Sequence, residues 1–167
     1  MPCAGGYRES IEAGKRRREQ ERIYEKSAER KHWMALVKRV HGISNGFEEL
    51  MPTEKTYFAV SVLIGEVYNG GFYQFFSNTS GSLYAYALDG LLEMEAEESA
   101  AQLAGAKQVL FGDALVSLDR TRRHAQMRQS GSNANLDEID KAFCAVGEDL
   151  GARCKQYAIS HALYEDD

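Results

Sequence analysis

The sequence predicts an all-α fold, a compact bundle of six to eight helices joined to a long charged N-terminal helix. Apolar residues recur at spacings of three and four along most of the chain, which is typical of helices that bury one face. No convincing run of alternating β-branched residues indicates a strand. Only 2 prolines interrupt the 167 residues. A chain of this length has room for one domain with a short extension.

Charge separates the first predicted element from the rest of the chain. Residues 1–41 contain 11 Lys/Arg against 6 Asp/Glu, whereas residues 42–167 contain 9 against 19. We therefore predict a basic, charged helical extension over 1–41 and an acidic all-α domain over 42–167, with net charges of +5 and −10. The alternative is an ordinary solvated helix beside a mildly acidic globule.

The extension is predicted to be one helix over residues 8–40. After Gly14 it has neither glycine nor proline, and six oppositely charged pairs three residues apart support it. An apolar face begins near Tyr24, where we expect the helix to dock on the body. Gly42 is predicted to end the helix as a left-handed cap.

The acidic domain is predicted to be a succession of helices divided by glycines and polar turns. In order, these are a helix from an N-cap at Thr53 to Asn69, a brief buried helix over 72–76, a helix capped by Ser80-Gly81-Ser82, a helix ending near Gly112, a helix over 113–128, and a last helix over 136–161. Asn135 and Glu138 predict a capping box for the last helix, and Cys144 and Cys154 are predicted to be buried on it.

One motif is far more specific than the rest of the sequence. It reads Glu66-x-x-Asn69-Gly70-Gly71-Phe72-x-Gln74-Phe75-Phe76-x-Asn78-x-Ser80-Gly81. The pattern predicts a helix end, a tight double-glycine turn and a buried aromatic plug. Amides at Asn69, Gln74 and Asn78 are expected to satisfy exposed backbone groups, and Glu66 to accept from backbone amides of the turn or of the short helix. One carboxylate and several amides form no catalytic set, so we interpret the motif as a folding determinant.

The motif resembles the signature of the bacterial DNA-mimic protein family. The resemblance continues into the last helix and covers roughly residues 54–163. It implies a non-enzymatic dimer in transcription regulation, whose acidic helices imitate DNA phosphates and thereby bind and inhibit a DNA-binding or regulatory protein. Such a mimic needs many carboxylates fixed on helices, because duplex DNA presents a negative charge about every 1.7 Å of its axis.

The candidate partner-binding residues are the carboxylates of the acidic helices. They are Asp89, Glu93, Glu95, Glu97, Glu98, Asp137, Glu138, Asp140, Glu148 and Asp149. On one helix, Asp89, Glu93 and Glu97 would form a row with one carboxylate per turn. A second row would hold Asp137 and Asp140, with Glu148 further along.

Other functions find less support in the sequence. Cysteines and histidines are scattered without metal-ligand spacing, and no phosphate-binding or nucleophile-elbow motif occurs, so we expect no cofactor, no metal and no enzyme. The absence of a long apolar run or a secretory start predicts a cytoplasmic protein without a membrane partner. The basic segments at 15–18 and 120–124 suggest direct nucleic-acid binding as another function. We expect none, because Glu19 and Glu21 weaken the positive field of the first segment and no aromatic residue lies among its cations. The sequence leaves the oligomeric state undecided between a monomer and a homodimer. The alternative function is an immunity or antidefence module whose acidic surface is incidental.

Overall fold

The all-α prediction is confirmed. The computed structural model describes residues 4–129, 136–146 and 149–165, with side chains from residue 12 onward, and these residues contain helices but no strand. In chain order they are α1 (Ala4–Tyr24), α2 (Ala28–Gly42), α3 (Pro52–Ser77), a 3-10 helix (Thr79–Leu83), α4 (Tyr84–Glu93), α5 (Glu97–Phe111), α6 (Arg120–Gln129), α7 (Leu136–Ala145) and α8 (Leu150–Ser160).

Helix α3 lies at the centre of the bundle. It packs against α2, α4, α6, α7, α8 and the 3-10 helix, while α5 packs on α4, α6 and α7. The largest fully buried apolar side chains come from several of these elements: Leu36, Leu63, Phe72, Phe75, Phe76, Leu91, Leu103, Leu110 and Phe143. Phe72, Phe75 and Phe76 follow the double glycine, so the predicted aromatic plug is confirmed as part of the core.

The prediction of one helix over residues 8–40 is wrong. The first helix ends at Tyr24. Ser27 donates its hydroxyl to the Tyr24 carbonyl (2.7 Å) and accepts from the amide of Arg30 (3.1 Å). Ser27 is therefore the N-cap of α2. Gly42 ends α2 as predicted, but not as a left-handed cap, because Ile43 follows in extended conformation and the positive φ falls at Asn45.

Helix α1 is exposed to solvent along its described side chains, whereas helix α2 packs against the core. Every side chain described in α1, from residue 12 to 24, is exposed, and pairs such as Lys15–Glu12 (3.2 Å) and Arg22–Glu19 (2.9 Å) run along it. By contrast, α2 buries Leu36 in the core. The two-domain division at residue 41 stays a prediction.

Three helix starts differ from those predicted. Met51, not Thr53, is the N-cap of α3, Pro52 takes the first helical position, and Glu54 accepts from the Met51 amide (2.9 Å). Residues 113–119 are not helical, and α6 begins only after Asp119, whose carboxylate accepts from the Arg122 amide (2.8 Å). Ser80–Ser82 also make no side-chain cap for α4, since they belong to the 3-10 helix.

The predicted last helix is two helices. α7 ends at Ala145, and α8 begins after Asp149, which accepts from the amide of Ala152 (2.9 Å). Cys154 is buried on α8 as predicted, but Cys144 is exposed on α7. The predicted capping residue Asn135 lies outside the described residues.

Candidate functional site

The double glycine breaks α3 into two helical halves, as the motif predicts. Gly70 (φ −159°, ψ 23°) and Gly71 (φ 73°, ψ 180°) both leave helical conformation. The second half then begins with an amide that needs an acceptor. Asp140 of α7 supplies it, because its Oδ1 accepts from the Phe72 amide at 2.8 Å. One of the predicted partner-binding carboxylates is thus half-buried and holds α7 against α3.

Glu66 is the centre of a side-chain network. Its carboxylate accepts from Gln74 Nε2 (2.6 Å) and from Asn78 Nδ2 (3.0 and 3.2 Å). The Ser80 hydroxyl lies 3.2 Å from the same carboxylate and shares its proton with the Phe75 carbonyl at 2.9 Å. The prediction that Glu66 accepts from backbone amides is therefore wrong. The amides of Gln74 and Asn78 serve the carboxylate, and Asn69 donates to Gln74 Oε1 at 3.4 Å. The polar residues of the motif hold its two ends together.

Arg123 explains why the motif ends in glycine. Its buried guanidinium donates to the carbonyls of Phe76 (2.7 Å) and Asn78, at the end of α3, and of Ser117 and Leu118. A Cβ on Gly81 would collide with this guanidinium and with the Phe76 carbonyl. Burial lowers the pKa of Arg123 from its ordinary value, and neighbouring Arg120 lowers it further, yet arginine remains charged at any physiological pH.

Replacing Glu66 by glutamine tests the network. We expect Glu66→Gln to lower the free energy of unfolding by about 1–3 kcal/mol, because a new amide would face the donors of Gln74, Asn78 and Ser80 in a half-buried site. Urea denaturation measures the change. The matched control is Glu49→Gln, since Glu49 is exposed and the same substitution there should stay within about 0.5 kcal/mol. Equal effects in the two variants would contradict the role given to Glu66.

The other candidate carboxylates occupy several different environments. Asp89 is exposed on α4, Glu93 is its last residue, Glu95 lies in the following turn, Glu97 and Glu98 open α5, Asp137 and Glu138 open α7, Asp149 caps α8, and Glu148 lies outside the described residues. The predicted row is interrupted, because α4 ends at Glu93 and Glu97 belongs to the next helix.

The turn between α4 and α5 presents two carboxylates in positions that local structure disfavours. The amide of Ala96 donates to the Leu91 carbonyl (2.8 Å) and that of Glu95 to the Leu92 carbonyl (3.0 Å), a Schellman helix end. Glu95 holds the left-handed position of this motif (φ 58°), which usually belongs to glycine. Glu93 lies at the negative end of the helix dipole, where a carboxylate is disfavoured.

Helix α8 supports this turn from the side. Arg153 donates to the Met94 carbonyl (2.8 Å), and the Tyr157 hydroxyl donates to Glu93 (3.3 Å). Burial raises the pKa of Tyr157, so its hydroxyl stays a donor at neutral pH. The turn and α8 together form an open pocket of about 330 Å³. It is lined by Glu93, Met94, Glu95, Arg153, Gln156, Tyr157, Ser160 and His161. Sequence reasoning missed Arg153 and Tyr157, since only the fold brings α8 beside the turn.

The remaining exposed carboxylates agree with helix electrostatics. Glu97 and Glu98 lie in the first turn of α5, and Asp137 and Glu138 in the first turn of α7, where the helix dipole favours negative charge. Glu138 also pairs with Lys141 at 2.9 Å. These positions have a sufficient structural reason to be acidic. Glu95, by contrast, occupies a left-handed position that usually belongs to glycine, and the unfavourable position of Glu93 is offset by its hydrogen bond from Tyr157.

Comparison with known proteins assigns the chain to a family. The family model of the DMP19-like proteins matches residues 48–161. The chain belongs to this family. DMP19 is a family of DNA mimics and is not a known enzyme family. The match takes in the whole Glu66 motif and the α4–α5 turn, whereas α1 and α2 precede it. No curated protein and no solved structure gives a significant match to the chain.

Two further properties concern cofactors and membranes. Among the described residues, no group of three or more His, Cys, Asp or Glu side chains is arranged to hold a metal ion. Within the same residues, none of the helices combines the length and the apolar character that a bilayer crossing requires.

Proposed function

We propose that the protein is a DNA mimic that binds and inhibits a DNA-binding or regulatory protein, and that Glu93 and Glu95 lie at the centre of the contact. Family membership supports the class of function. The observation that carries the location is the left-handed conformation of the exposed Glu95, at a position that glycine would favour. Glu93 lies two residues earlier at the negative end of the same helix, where it accepts a hydrogen bond from Tyr157.

Residues that break local rules without a structural gain are expected at functional sites. A left-handed conformation costs a non-glycine residue about 1 kcal/mol or more, and Glu95 adopts it while its side chain remains exposed. Asp89, Glu97 and Glu98 flank the turn in sequence and extend the negative surface. A partner that normally grips phosphates with Arg and Lys meets the same charge here.

The proposal predicts salt-sensitive binding that depends on the turn. In affinity capture from an extract of the source cells, we expect the chain to retain a DNA-binding protein at low salt, release it at high salt, and lose it to competing duplex DNA. The double variant Glu93→Gln/Glu95→Gly should retain about tenfold less of that protein. Its free energy of unfolding should be unchanged or up to about 1 kcal/mol higher, because glycine suits the left-handed position.

The matched control changes the same amount of charge on α1. Glu12→Gln/Glu19→Gln also removes two negative charges from exposed residues, and we expect it to leave capture unchanged. A partner that duplex DNA cannot displace, and that the α1 variant loses, would overturn the mimic proposal in favour of the immunity or antidefence module. The homodimer and the cytoplasmic location stay predictions, to be tested by solution mass and by cell fractionation.

A further inference from the structure

The exposed face of α6 carries a concentration of hydrogen-bond donors that the mimic function does not use. Arg120, Thr121, His124 and Arg128 line a shallow pocket of about 310 Å³ on this helix. Residues 120, 124 and 128 follow one another at single-turn spacing, so their side chains share one face. No carboxylate lines the pocket, although residues 42–167 carry a net charge of −10.

Two of these side chains are fixed by a shared acceptor. Arg120 Nε donates to the Ser77 carbonyl at 2.9 Å, and His124 Nε2 lies 2.7 Å from the same oxygen. One carbonyl at the end of α3 therefore holds the guanidinium and the imidazole side by side. Among the described residues, no hydrogen bond or ion pair engages the terminal guanidinium nitrogens of Arg120, the guanidinium of Arg128 or the Thr121 hydroxyl.

We infer that this pocket binds a single phosphate group, as inorganic phosphate or as the phosphate of a small monoester. Arginine forks and a hydroxyl are donors that match phosphate oxygens, and the pocket offers such donors from the first and third turns of α6, with no carboxylate in its lining. Two guanidinium groups and one hydroxyl are enough donors for one compact anion. A nucleic-acid backbone would instead bring a row of phosphates towards the negatively charged body, which would repel them. This inference does not depend on the proposed function.

The test uses the full chain and inorganic phosphate in a chloride buffer of constant ionic strength. We expect saturable chemical-shift changes in nuclear magnetic resonance spectra, confined to α6 and the end of α3. The variant Arg128→Gln should weaken phosphate binding about fivefold or more, because it removes a charged donor. The Arg128 side chain is exposed and forms no hydrogen bond or ion pair with the described residues, so we expect the fold to tolerate the substitution.

A matched variant distinguishes a site from a general attraction of anions. Arg122→Gln removes the same charge from an exposed residue of the same helix that does not line the pocket, and it should leave phosphate binding unchanged. Shifts that never saturate, or equal weakening in both variants, would overturn the inference. Phenyl phosphate in a parallel titration shows whether an esterified phosphate is accepted as well as the free ion. Tighter binding of a short duplex DNA at equal phosphate concentration, weakened by Arg128→Gln, would replace the inference with a nucleic-acid site.

Discussion

Arg123→Met is expected to lower the free energy of unfolding by about 3–5 kcal/mol. The Arg123 side chain is 0% exposed and donates to carbonyls at the end of α3 and in the segment before α6. Methionine fills similar volume but leaves these buried acceptors without donors, at a cost of about 1–3 kcal/mol for each that water cannot reach. The loss stays below the sum of these costs because some carbonyls regain water.

Urea denaturation of Arg123→Met against Arg122→Met measures this effect. Arg122 is the exposed neighbour on the same helix, and its substitution should change the free energy of unfolding by less than about 0.5 kcal/mol. Arg123→Lys should also be strongly destabilised, since one ammonium cannot reproduce a planar fork that reaches several carbonyls. A loss below about 1 kcal/mol in both Arg123 variants would show that the guanidinium does not hold these segments together.

Gly71→Ala is expected to cost about 2–4 kcal/mol of unfolding free energy. Gly71 has φ 73° and ψ 180°, a region that is essentially restricted to glycine. A Cβ at this position would also overlap the Asp140 carboxylate, which caps the second half of α3. The substitution therefore strains the backbone and displaces the cap together.

Gly65→Ala provides the opposite expectation on the same helix. Gly65 is exposed in the first half of α3, and a Cβ there would meet nothing within 4 Å. Alanine should raise the free energy of unfolding by about 0.5–1 kcal/mol, because it restricts the unfolded chain and favours the helix. If both glycine variants changed stability by the same amount and sign, the special backbone of Gly71 would not matter to the fold.

Local sequence patterns predicted the elements better than their ends. Helical spacing located the core faces, and the adjacent glycines located the turn, because both depend on neighbouring residues. The same spacing concealed the break between α7 and α8. Both helices bury apolar residues in one core, so apolar residues recur at helical spacing across the break. The missed signals were short polar side chains at helix starts, namely Ser27, Asp119 and Asp149.

The candidate site was less predictable because its decisive contacts join distant parts of the chain. Asp140 reads as a surface carboxylate in the sequence, yet it contacts Phe72, 68 residues earlier. Arg123 reads as part of a basic surface segment, yet it reaches Phe76 and Asn78, 47 and 45 residues earlier. Neither periodicity nor charge counting contains this information. The unusual position of Glu95 likewise required its backbone conformation, since glutamate in a turn is unremarkable in sequence.

The solvent-bathed α1 has a consequence for communication within the molecule. Allosteric coupling needs an element whose packing both sites bias, and every described side chain of α1 is exposed. The charges on the described part of α1 therefore act on the α4–α5 turn through the electric field. At physiological ionic strength that field decays over about 8 Å. We therefore expect the basic helix to influence how quickly a charged partner arrives more than how firmly the acidic turn holds that partner.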